Sequence, residues 1–181
     1  MRPLGISRWY RSGRERGARE VSTSSVVLLP HAPASVVTAR WQISTHLREA
    51  GIVPPAIGDA AVVVSELLTN AIIHARPLPG ARVLVAWALR ERSLEVAVSD
   101  GGSMTRPRTA LPSLSSIGGR GLAIVEYLSC RWGVLTSDFG LTVWAVLPAP
   151  GDSRARDDRT GTRRRRCPCG PLPGVTGLRR P

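Results

Sequence analysis

Between residues 24 and 149 the apolar positions fall into runs with two different periods. "SVVLLP" (25–30) is a short apolar run stopped by Pro30 and predicts a strand. "APASVVTARWQISTHLREAG" (32–51) spaces Val36, Val37, Trp41, Ile43, Leu47 and Ala50 at helix-like intervals and ends on a glycine. That pattern predicts a helix with those residues facing the core. "PPAIGDAAVVVSELLTNAIIHA" (54–75) opens with two prolines, which suit a first helical turn, and runs on as a second helix. Its β-branched stretch at 62–64 would also suit a strand; length and the four-residue spacing of its polar positions decide for helix. "ARVLVAWALR" (81–90) and "SLEVAVSD" (93–100) are β-rich and separated by Glu91-Arg92, the pattern of a hairpin. Residues 101–119, "GGSMTRPRTALPSLSSIGG", read as a loop, long for a connector and therefore marked as functional or mobile. "RGLAIVEYLSC" (120–130) is helical, with Leu122, Val125, Tyr127 and Leu128 available to a core. "WGVLTSD" (132–138) and "LTVWAVLP" (141–148) close the series as a second hairpin turning near Phe139-Gly140.

The order is strand, two helices, two strands, loop, helix, two strands. It predicts an α+β two-layer sandwich whose mixed, mostly antiparallel sheet is covered on one face by helices. A doubly wound nucleotide fold would alternate strand and helix throughout, and this chain does not. At 181 residues there is room for one domain with a real core. Residues 1–23 are Arg-, Gly- and Ser-rich without periodicity and predict a disordered leader. Residues 150–181 mix Pro, Gly and a run of four arginines and predict a disordered tail.

Charge changes the picture less than its total suggests. The net charge is +12, but residues 1–20 hold six Arg against two Glu and residues 151–181 hold nine Arg against three Asp. Residues 21–150 keep only ten Arg against eight acids. The positive field belongs to the ends, which argues against specific nucleic-acid recognition by the folded part. No apolar run reaches bilayer-spanning length and no apolar segment follows the N-terminal arginines, so the expectation is a cytoplasmic protein without a membrane partner. Cys130 sits in a helical pattern and is expected to pack as a small hydrophobe, while the Cys167-Pro168-Cys169 tail lacks the further ligands a metal site needs. A disulfide framework is not expected.

Three islands stand out against this background. Glu66, Asn70 and His74 recur every four residues, with Ser65 and Thr69 alongside, on a helix that is otherwise apolar around most of its circumference. At about 100° per residue they form one ladder. A carboxylate and an amide oxygen on one wall suit magnesium, although a solvated stripe is the plainer reading of the ladder alone. Asp100-Gly101-Gly102 puts a carboxylate at a strand end before two residues without side chains, as a site for an exocyclic amine or as a simple turn. Gly118-Gly119-Arg120-Gly121 leads directly into a helix, as a phosphate cradle or as a hinge.

Taken in order, "ELLTNAIIHA", "VAVSDGG", "GGRGLAIVEYL" and "TVWAVLP" resemble the GHKL ATPase superfamily with its Bergerat ATP-binding fold. Within it the chain is similar to the small serine/threonine kinases of the anti-sigma factor group found in actinomycetes, over residues 24–149. The resemblance implies ATP and Mg²⁺ as cofactors, a small antagonist protein as substrate, a sigma factor as a further partner, and pairing into homodimers. It implies Glu66 as the catalytic carboxylate that orients or deprotonates the nucleophile, and Asn70 as the magnesium ligand. Asp100 would read the adenine amino group, Gly102 would let the ring approach, and Thr142 would help Asp100 hold the base. Gly119 and Gly121 would be the lid glycines, with Arg120 and Leu122 entering the helix after them, and His74 would have a supporting role. The chain departs from the superfamily where Met104 replaces the second glycine of the Asp-x-Gly-x-Gly run, and in a short lid without lysine. The abbreviated glycine box keeps a second class of function open: a binding module that uses ATP only as a conformational ligand and sequesters its partner. A histidine kinase core ranks lower, because the leader is too short and too polar for a dimerisation helix with a phosphoacceptor histidine.

Overall fold

The computed structural model describes residues 23–90, 92–102, 119–138 and 140–151. The expected leader except Thr23, the tail beyond Gly151, and most of the 101–119 loop lie outside the described residues. In chain order the elements are β1 (Thr23–Pro30), α1 (Ala34–Glu49), α2 (Pro54–His74), β2 (Arg82–Arg90), β3 (Ser93–Asp100), α3 (Gly119–Leu128), β4 (Arg131–Ser137) and β5 (Gly140–Pro148). The strands form one sheet in the order β1-β2-β3-β5-β4. All four pairings are antiparallel, so the sheet expected to be mixed is uniform.

Alternation along paired strands sorts the side chains onto two faces. Val27, Val85, Val98 and Val143 share one register row, and Trp87, Val96 and Ala145 share another. These rows belong to the hydrophobic core. α2 lies on this face against β3 and β5, with α1 and α3 packed on its flanks. Ala60, Val63, Val64, Leu67 and Leu68 of α2 are all buried. Burial of each large apolar side chain contributes about 1.5–3 kcal/mol, which outweighs the slight helix reluctance of the β-branched run at 62–64. Val53 enters α2 in an extended conformation, and Pro54 and Pro55 fill the first turn, where an N–H would have no partner.

At 21 residues with mean hydropathy 1.6, α2 is long and apolar enough to cross a bilayer by length and composition, contrary to the sequence expectation. Its packing on the sheet and on two helices identifies it as the core helix of this fold.

α1 ends in a Schellman arrangement. Ile52 N–H donates to the Leu47 carbonyl and Gly51 N–H to that of Arg48, each at 3.0 Å, with Gly51 at φ 71° and the buried Ile52 and Leu47 at the two positions that touch in such caps. The helix buries Ser35, Ala39, Ile43 and Leu47. Trp41 and Val37, expected in the core, are 68% and 70% exposed. The stripe Ala39-Ile43-Leu47 takes the core face and turns Trp41 outward by about 200° from Ala39. Tyr127 is likewise outside, because Leu122 and Val125 face the core of α3. Cys130 follows α3 and is disulfide-bonded, which corrects the expectation of a simple packing residue.

Gly51→Ala tests the cap. No atom lies within 4 Å of an added Cβ, so only the left-handed backbone conformation opposes it. Urea denaturation should show a loss of about 1–2 kcal/mol with an unchanged m-value.

Candidate functional site

The polar stripe of α2 points into the protein. Glu66 and Asn70 are half-buried, whereas His74, one turn further, is exposed. α2 is buried by the sheet on one side and by its helical neighbours on the others, and its polar window opens toward the first turn of α3. A Cβ built on Gly121 would stand 2.6 Å from Glu66 Oε2 and 3.6 Å from Asn70 Nδ2. Glycine at 121 therefore makes the close approach of α3 to the carboxylate sterically feasible. Asn70 Nδ2 is buried and has no hydrogen-bond partner among the described residues. Leaving such a donor unmet costs about 1–3 kcal/mol, a cost that a ligand can remove.

The second part of the site is the turn after β3. Asp100 is 3% exposed. The Gly102 N–H donates to its Oδ1 at 2.7 Å, with Gly102 at φ 84°, a conformation that favours glycine. Burial pushes the Asp100 carboxyl up to about 6, against the opposing pull of the Gly102 hydrogen bond and of the nearby His31. His31 in turn donates from Nε2 to the Ala71 carbonyl of α2 at 3.1 Å. The Arg76 N–H donates to the Gly102 carbonyl, and the Gly101 N–H to the Arg76 carbonyl, each at 2.8 Å. A Cβ at Gly101 would lie 2.5 Å from the Pro77 carbonyl oxygen. The segment leaving α2 is thus laced to the Asp100 turn, and one helix carries both halves of the site.

β5 corrects one assignment. Thr142 is the register partner of Ser99, and their hydroxyls are 2.8 Å apart. Asp100 pairs with Leu141. Neighbouring residues on a strand face opposite sides, so the Thr142 hydroxyl lies on the sheet face away from Asp100 and the helices. Leu141, half-buried against the core, stands beside Asp100 instead. Gly140 completes the approach of β5, since a Cβ there would collide with the Asp100 carbonyl. Leu122 is 6% exposed and packs in the core, so its side chain anchors α3 and does not line a cleft. Gly119 and Arg120 occupy the first turn of α3. Gly118 and Met104 lie outside the described residues. Sequence reasoning missed His31 and Leu141, and named Gly101 within the Asp100 island without a role of its own.

Residues 29–147 match the model of the histidine kinase-like ATPase domain, about two-thirds of the chain. The chain belongs to the histidine kinase-like ATPase family. The fold is also shared with the crystal structure of the RsbU and RsbW domains of Rv1364c from Mycobacterium tuberculosis, at 22% identity and a TM-score of 0.54. That match covers 71% of this chain and 34% of the other, so this chain corresponds to about a third of that one. No curated protein matches the chain.

For an ATPase domain the polar set fits its ligand: an unmet Asn70 Nδ2 that can donate to a phosphate oxygen, an Asn70 Oδ1 and a Glu66 carboxylate as hard oxygens, and a helix start opened by Gly121. Among the described residues no cluster of three or more His, Cys, Asp or Glu could hold a metal alone. Magnesium commonly takes one or two protein oxygens and completes its shell from phosphates and water, so a single amide suits it.

The raised Asp100 group makes a pH prediction with a definite sign. Protonation is favoured by the fold, so Asp100's contribution to stability is full below its unfolded value of 3.8 and is lost as pH rises through about 6. Asp100→Asn removes that dependence. Ligand-free Asp100→Asn protein should be more stable than the parent above pH 6, by up to about 3 kcal/mol, and the difference should vanish toward pH 4. Denaturant titrations across that range measure it.

Proposed function

We propose that this ATPase domain is a serine/threonine protein kinase of the anti-sigma factor type, ATP- and Mg²⁺-dependent, located in the cytoplasm and acting on a small antagonist protein. The observation that carries the reading is the placement of Glu66 and Asn70 against Gly121 at the start of α3. Family membership supports the nucleotide. The structural neighbour from Mycobacterium tuberculosis, in which an RsbW domain accompanies an RsbU domain, supports the regulatory setting.

In this reading the Asn70 amide oxygen would hold the metal, and its Nδ2 would donate to a phosphate oxygen. Glu66 takes or orients the proton of the attacking hydroxyl. Backbone N–H groups of Gly119, Arg120 and Gly121 point toward phosphate oxygens, as the unpaired first turn of a helix does. Asp100, as the carboxylate, accepts from the adenine amino group, and Gly102 keeps the base within reach. Leu141 supplies an apolar wall beside Asp100 in the position where a hydroxyl had been expected. When bound, magnesium–ATP supplies the γ-phosphoryl group and neutralises charge as it transfers, so the protein's part is positioning and charge stabilisation. A sigma factor, sequestered by the same protein when the antagonist is absent, completes the proposal, with homodimers as the working form.

Glu66→Gln separates this reading from a non-catalytic, ATP-responsive binding module. With labelled ATP and candidate antagonists, Glu66→Gln should lose transfer by about 100-fold or more and keep its ATP affinity. Absence of transfer by the parent protein, with tight ATP binding and full partner capture, would establish the binding module instead.

A further inference from the structure

Between the C-terminal half of α1 and the β1–β2 margin of the sheet lies a cavity of about 260 Å³, lined among others by Trp41, Gln42 and His46 of the helix and by Ser25 and Trp87 of the strands. Ser25 and Trp87 are register partners in the row that Val96 and Ala145 continue on the helix-covered face. One wall is fixed. Ser25 Oγ and His46 Nδ1 are 3.2 Å apart, and the His46 and Trp87 rings meet in a T with 6.1 Å between centroids. The other wall is unfinished. Trp87 is 3% exposed, yet its Nε1–H has no acceptor among the described residues. Gln42, one helical turn before His46, holds a buried Oε1 without a donor. A buried indole N–H normally finds a partner, and each unmet group carries a desolvation cost that a suitable ligand would remove. The volume is several times the share of one water, about 30 Å³. A sphere of that volume is about 8 Å across, with room for a molecule on the order of ten non-hydrogen atoms.

Position and charge separate this cavity from the nucleotide site. Trp87 pairs with Val96, four residues before Asp100 on β3 and so about 13 Å from it along the strand. The chain's basic residues are all arginines, and none of them is among the described residues that line the cavity, whereas Glu49 is. Phosphates and other anions therefore find no counter-charge there. We propose that this cavity binds a small neutral amide, a primary carboxamide, lactam or ureide carried on a flat body. Trp87 Nε1–H donates to its carbonyl, Gln42 Oε1 accepts from its N–H, and the ring of Trp41, 68% exposed, offers a surface for its flat face. A hydroxyl would offer both functions from one atom. The two protein groups come from different elements, α1 and β2, which suits an amide with its donor and acceptor on separate atoms. The site does not depend on the kinase reading.

The Trp87 indole signal in a ¹H–¹⁵N correlation spectrum, assigned with Trp87→Phe, reads occupancy directly. Titration of the full chain with benzamide should move that signal saturably, with an affinity between micromolar and millimolar, and the shift should persist with ATP present. Gln42→Leu keeps the side-chain bulk and removes the acceptor. It should weaken benzamide about tenfold while holding the parent's thermal midpoint. Trp87→Phe, followed by ligand-observed saturation transfer, should weaken it to a similar degree. N,N-dimethylbenzamide, which lacks the N–H, should bind the parent and Gln42→Leu alike. The proposal is overturned by absence of a saturable shift, by equal benzamide affinity in the parent and Gln42→Leu, or by displacement of benzamide by ATP. Benzyl alcohol binding as tightly as benzamide would overturn it as well. A Trp87 signal that moves on Gln42→Leu alone, in a protein that binds no probe, would show the two groups bonding each other and would equally overturn it.

Discussion

The structure depends on how α2 is buried. Its valines and leucines at 63, 64, 67 and 68 are taken up by the sheet, α1 and α3, and this fixes the rotation of the helix about its own axis. A rotation of one residue, about 100°, would cost several kcal/mol of apolar burial. The same rotation aims Glu66 and Asn70 at Gly121. Polar residues that looked costly on an apolar helix occupy the one sector that the core does not claim. The site's precision is a by-product of core packing, which holds a carboxylate and an amide on a rigid element instead of a loop.

The Asp100 turn reaches the same helix through the backbone. The Arg76 hydrogen bonds to Gly101 and Gly102 fasten the end of β3 to the segment leaving α2, and the His31 bond to Ala71 fastens the end of β1 to the last turns of that helix. Burial there leaves Asp100 with a carboxyl that is expensive to ionise without a partner. An exocyclic amine donating to it would offset part of that cost. The ligand-free protein therefore holds two demands that a ligand can meet, a buried carboxyl at Asp100 on β3 and a buried amide donor without a partner at Asn70 on α2.

Much of this was legible in the sequence, for physical reasons that can be named. Period-two runs gave the strands, and the proline start and polar spacing gave α2. The Glu66-Asn70 pair announced itself because two polar groups four residues apart on an apolar helix need a reason. What could not be read was which residue of β5 stands beside Asp100. β3 and β5 are separated by a loop and a helix, so no local turn fixes their register, and a shift of one residue exchanges Leu141 for Thr142 and one sheet face for the other. Trp41 and Tyr127 misled for a related reason: large size suggests burial, while rotational position decides it. The membrane-length apolar character of α2 does not show as an unbroken run, because Glu66 and Asn70 interrupt it without lowering its mean hydropathy below the spanning range.

The chain thus has a closed core and a polar window in its central helix. The central claim concerns the window: Asn70 and the Gly121 turn form a floor for a metal-bound nucleotide. Calorimetric titration of ATP into the parent protein and into Asn70→Ala, each with and without Mg²⁺, addresses it directly. The account predicts that Mg²⁺ tightens ATP binding to the parent about tenfold or more and has little effect on Asn70→Ala. Equal Mg²⁺ dependence in both proteins, or no binding heat in the parent, would contradict it.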